Sequence, residues 1–140
     1  MSPVVKVGLW IGGVLVAVLA IIIIIALLIG NTVVDDVQEG ASFAKTASHD
    51  QCVDEIARRV KVCDGLKCTM GLSAFGGTCL TQANGDREKF CESVPVPANG
   101  EGVDKWRPGF CTARSFDERV CDVVSGLVAV SCDNYKSGVR

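Results

Sequence analysis

Eight cysteines carry most of the chemistry this chain can do: Cys52, Cys63, Cys68, Cys79, Cys91, Cys111, Cys121 and Cys132. They fall in the last 89 residues of a 140-residue sequence, about 9% of that segment, the density of a disulfide scaffold. Sulfur at this density can close disulfides, bind a metal as thiolate, or cycle as a redox pair, and spacing separates the three. Zinc sites pair C-x2-C or C-x4-C with a second close pair or with histidines. Only Cys63-x4-Cys68 fits, and the single histidine, His49, is remote in sequence. No C-x-x-C exists for a thioredoxin-like pair or a haem attachment. The sequence therefore predicts eight disulfide cysteines, no metal and no cofactor.

Ten residues separate Cys52 from Cys63, Cys68 from Cys79, and Cys121 from Cys132. Eleven helical steps turn through about 1,100°, so each pair shares a helix face roughly 16 Å apart. A disulfide needs Cα atoms within about 7 Å, so cysteines on one helix must bond to a neighbour. Two helices joined at Asp64-Gly65-Leu66-Lys67 would form an antiparallel hairpin, with Cys63 meeting Cys68 near the turn and Cys52 meeting Cys79 at the open end. Cys91 and Cys111 are left to clamp a C-terminal helix through Cys121 and Cys132, in an order the sequence does not assign.

Cys52-x10-Cys63 followed by Cys68-x10-Cys79 resembles the twin CX9C or CX10C (CHCH-like) helical hairpins of the mitochondrial intermembrane space. The resemblance implies a small structural or assembly factor whose two hairpin bridges form by oxidation. It covers residues 52–79. The short turn, the glycines at 71, 76 and 77, four further cysteines and a preceding apolar segment depart from that pattern.

Other chemistry is sparse. His49 stands beside Asp50 at a helix start and reads as a surface residue. The pairs Asp54/Glu55 and Asp117/Glu118 read as first-turn acids that favour the helix dipole. No phosphate-binding glycine loop or nucleophile motif appears, which predicts a non-enzymatic protein without an evident small-molecule substrate. Basic and acidic residues are interspersed, and the part after residue 30 holds sixteen acids and thirteen bases, a formal charge of −3. No basic stripe is present to engage nucleic acid. The candidate partner-binding residues are Trp106, Arg107 and Phe110, the types that supply interface hot spots. The competing expectation is that Trp106 and Phe110 fold back over a thin core.

The elements that position these groups begin with residues 7–30, which carry no charge or strongly polar side chain. As a helix they would be about 36 Å long, enough to cross a hydrocarbon core of roughly 30 Å. A secretory signal has a shorter apolar region of about 7–15 residues and a small-residue cleavage site, which Leu28-Ile29-Gly30-Asn31 does not supply. Gly8, Gly12, Gly13 and Ala17 have the four-residue spacing that lets membrane helices approach closely. Residues 1–6 read as a short cytosolic or matrix-side tail, with no output domain there, and 31–50 as a juxtamembrane tether that loosens after a turn or two.

Residues 51–140 read as the cysteine-rich helical domain. Cys52, Ile56, Val60 and Cys63 mark one helix, opened by the capping box Ser48-x-x-Gln51. Cys68, Leu72, Phe75 and Cys79 mark a second. A short helix is expected around Asp86–Glu92, irregular chain over 93–110, and a last helix from the capping box Ser115-x-x-Glu118 to about Cys132. The predicted fold is all-α: a single transmembrane helix followed by a small disulfide-stapled helical domain. The functional expectation is an accessory or assembly subunit of a larger membrane complex, with the bilayer and other membrane subunits as partners. A membrane-tethered thiol–disulfide or metal-handling protein is the alternative. Cysteine usage places the C-terminal domain on the oxidising side of a membrane, in a bacterial periplasm, at a cell exterior or in the mitochondrial intermembrane space.

Overall fold

The computed structural model describes residues 3–138, with the side chains of 3–12, 28–29 and 31–32 excepted. The architecture among these residues is all-helical: α1 (Pro3–Ala44), α2 (His49–Val62), α3 (Gly65–Gln82), α4 (Arg87–Cys91), α5 (Glu101–Ala113) and α6 (Glu118–Lys136). Among the described residues no helix is long and apolar enough to cross a membrane. Within the expected span of 7–30, side chains are described continuously only over 13–27. Gly8 and Gly12 lie outside the described side chains.

Residues 31–44 are not a loosened tether but the C-terminal third of α1. Val33, Val37, Gly40 and Ala44 recur at steps of four, three and four, a helical stripe. Its contact with α3 is close. A Cβ on Gly40 would stand 2.6 Å from the Phe75 carbonyl oxygen, and one on Gly71 would collide with the Asp36 carboxylate. Both contacts join positions 35 apart, so α1 and α3 run parallel. The ring of Phe43 meets that of Phe75 at 6.0 Å.

The cap Ser48 opens α2, its hydroxyl accepting from Gln51 N–H while the Gln51 side chain accepts from Ser48 N–H. α2 then runs antiparallel to α3. Cys52 is bonded to Cys79 and Cys63 to Cys68, with Cα separations of 5.8 and 5.6 Å. Arg59 ties α2 to α1: its guanidinium pairs with Glu39 at 2.5 Å and with Glu55 at 2.8 Å, and lies 3.8 Å from the Phe75 ring centre. A hydrogen bond from Arg58, working against burial and helped by one from Arg59, holds the Glu55 carboxyl down at about 2.

Two boundaries correct the sequence expectation. Residues 101–113 form α5 although Pro108 stands inside it. Proline removes one backbone bond, to the carbonyl of Asp104, and Asp104 and Pro108 both lie on the exposed side. Opposite them Val103 is buried and Trp106 and Phe110 pack on the core, an apolar face strong enough to hold the helix. α6 starts at Glu118, capped by Asp117, whose carboxylate accepts from Val120 N–H at 3.0 Å. Ser115 instead takes a left-handed conformation, with φ 55°. The centre of the domain is Val53, Ile56, Val60, Phe75, Leu80, Val120, Val124 and Val128, all 1% exposed or less. α6 packs across α2, α3 and α5.

Candidate partner-docking cleft

The remaining cysteines position the candidate site. Cys91 bonds Cys132, tying α4 to the end of α6, and Cys111 bonds Cys121, tying α5 to its start. None of the eight is left as a thiol. These bonds, with the α2 cap, hold α4, α5 and the start of α2 around an open cleft of about 540 Å³. That volume falls in the range of ligand-sized clefts.

Aromatic rings form its apolar surface. Trp106 and Phe110, one turn apart on α5, bring their ring centres to 4.6 Å, and Phe116 meets Phe110 edge-on at 6.3 Å. Both Trp106 and Phe110 are half-buried: they lean on the core and still line the cleft. Arg114 covers the Phe110 ring at 4.3 Å and reaches Asp50 at 2.7 Å, closing one rim. Lys89, Asp86 and Ser93 form the other. Arg107 is not part of the lining. Its guanidinium turns to Asp122 at 3.1 Å, with Asp104 at 3.9 Å.

His49 is the largest departure from expectation. Read as a surface residue, it is 4% exposed and stacks on Phe90 with ring centres 4.7 Å apart. Its Nε2 is buried without a hydrogen-bond partner. Burial lowers its pKa below the usual 6.5, the Arg87 charge adds to that, and Asp50 and Asp86 oppose it. The imidazole is therefore neutral near pH 7. Ser48 and Asp50 flank it in sequence but are engaged elsewhere, the hydroxyl as the α2 cap and the carboxylate on Arg114. Consecutive helical side chains diverge by about 100°, so this trio does not converge.

Sequence reasoning missed His49, Phe90 and Arg114. The signal for His49 was present: His49, Cys52, Val53 and Ile56 share the buried face of α2 at steps of three, one and three. Of the candidate contact residues of the apolar segment, the two that are described, Gly13 and Ala17, have no packing partner among the described residues. A Cβ on Gly13 would meet nothing within 4 Å, and Ala17 is exposed. Among the described residues no three His, Cys, Asp or Glu side chains converge as a metal site. Comparison with known protein families, curated proteins and solved structures finds no match.

Proposed function

We propose that this chain is a non-enzymatic, single-pass membrane-anchored accessory or assembly subunit, whose disulfide-bonded domain presents the aromatic cleft to a larger membrane protein complex. One observation carries the reading. The large apolar side chains between Val14 and Leu27 are 48–68% exposed, on the same helix that continues into the folded domain. Apolar surface of this extent on one element has no cover among the described residues, and a bilayer is the solvent that suits it. Closed disulfides favour the oxidising side of that membrane. The cleft offers half-buried tryptophan, phenylalanine and arginine inside a mixed-charge rim, the make-up of a protein-binding surface. A thiol–disulfide or metal-handling role would need accessible cysteines, and six of the eight, Cys52, Cys63, Cys79, Cys91, Cys111 and Cys132, are 5% exposed or less.

The test is two extractions from expressing membranes. Alkaline carbonate should leave the chain in the pellet, and mild detergent should release it with a fixed set of partner subunits. Trp106→Ala should keep the anchor and lose the partners. Release by carbonate would sink the anchor. Migration alone in mild detergent would sink the subunit role.

A further inference from the structure

The α2–α3 turn carries apolar side chains that the core does not use. Val62 is 80% exposed, Leu66 70% and Met70 40%. The turn is rigid, closed by Cys63–Cys68 and braced by a hydrogen bond from Arg119 to the Cys63 carbonyl. Exposed Lys61 and Lys67 flank it, with one acid, Asp64, between them.

The register between α1 and α3 says what lies beside this turn. Gly71 meets Asp36 and Phe75 meets Gly40. Extending that offset of 35 places Leu66 level with position 31 of α1, one residue, or about 1.5 Å, beyond the apolar run that ends at Gly30. Val62, at the end of the antiparallel α2, stands beside it. The exposed apolar tip of the domain and the end of the apolar run are thus at the same height.

We infer that the α2–α3 turn is a second membrane contact: Val62 and Leu66 enter the headgroup–acyl boundary of the bilayer that takes α1, with Lys61 and Lys67 on lipid phosphates. This rests on the reading of residues 7–30 as a bilayer span. Apolar side chains at an interface sit roughly 5–10 Å into that boundary, and lysines beside them extend to the headgroups. The turn then fixes which face of the domain meets the membrane, and the cleft, at the opposite end of α2, faces away from it.

The test uses the full oxidised chain in phosphatidylcholine–phosphatidylglycerol vesicles containing nitroxide lipids. In a Trp10→Phe background, Trp106 is the native fluorophore and the reference, being at the cleft end. Adding Leu66→Trp should bring emission that a nitroxide near the ester linkage quenches about twofold, while Trp106 alone stays unquenched. Val62→Trp is the second probe should Leu66→Trp fail to close its four disulfides. Ile23→Trp separates the two readings, because a span predicts quenching by a nitroxide near the chain end. Quenching at Ile23→Trp, with neither turn probe quenched, overturns the second contact and leaves the span. No quenching at Ile23→Trp overturns the span and this inference together.

Discussion

Gly40 of α1 lies so close to Phe75 of α3 that a methyl group on it would stand 2.6 Å from the Phe75 carbonyl oxygen. The neighbour is backbone, which cannot swing aside. Alanine in a helix interior is favoured over glycine by about 1 kcal/mol, so substitution should stabilise wherever there is room. At Gly40 there is none, and overpacking costs about 1–3 kcal/mol. We expect Gly40→Ala to lower the stability of the detergent-solubilised chain, followed by circular dichroism in urea. Gly77→Ala, with nothing within 4 Å, should raise it. Equal effects at both positions would refute the tight α1–α3 contact.

The buried neutral His49 gives stability an acid limb. Its folded pKa lies below the unfolded value of 6.5, so the unfolded chain binds more protons as pH falls through that value. Stability from this group is complete above pH 6.5 and declines below it until the folded pKa is reached. His49→Phe should flatten the thermal midpoint between pH 7 and the onset of carboxylate titration. A variant as pH-sensitive as the parent in that window would remove His49 as the cause.

A separate, lower window belongs to Glu55. Its folded pKa of about 2 is below the ordinary 4.5, so its contribution is present above pH 4.5 and lost as pH falls toward 2. Glu55→Gln should remove that loss while leaving the His49 limb intact. Arg59→Met should cost about 1–2 kcal/mol at neutral pH, through two ion pairs and the contact with Phe75. Urea midpoints across the pH range measure both.

The four disulfides should differ in what they contribute. Closing a longer loop removes more freedom from the unfolded chain, which ranks Cys91–Cys132, separation 41, above Cys52–Cys79 at 27, Cys111–Cys121 at 10 and Cys63–Cys68 at 5. Chain entropy alone gives about 4 kcal/mol for the first and about 2 for the last. Paired Cys→Ser variants, compared by urea midpoint, test that order. A larger loss at Cys63–Cys68 than at Cys91–Cys132 would mean that native contacts around the turn, not loop closure, set the ranking.

The hairpin over 52–79 was legible because sulfur has a short reach and helices have a fixed rise; together these leave few pairings. The order of the other four cysteines was not legible, because it depends on where α5 lies. That helix was hidden by Pro108-Gly109, although Val103, Trp106 and Phe110 carry a helical spacing. Tertiary burial of that face outweighs one missing backbone bond. The start of α6 was read at Ser115 with Asp117 as a first-turn acid, whereas Asp117 is itself the cap, its carboxylate accepting from Val120 N–H, and Ser115 takes a left-handed conformation before it. In residues 31–44 the stripe Val33, Val37, Gly40, Ala44 was overlooked because two of its members are small. Small residues are what a close helix pair requires there. His49 was misjudged by its polar type, while its position on the apolar face of α2 pointed inward.

Helix α1 has no proline after Pro3 and runs unbroken for 42 residues, about 63 Å. Under the proposed span it behaves as a lever with its fulcrum at the membrane surface. Fourteen residues separate Gly30 from Ala44, about 21 Å of arm. A tilt of about 10°, of the size helices adopt to match bilayer thickness, would swing that end sideways by roughly 4 Å. Whatever occupies the aromatic cleft would move with it, so the thickness of the lipid layer would be felt as a change in the position of a bound subunit.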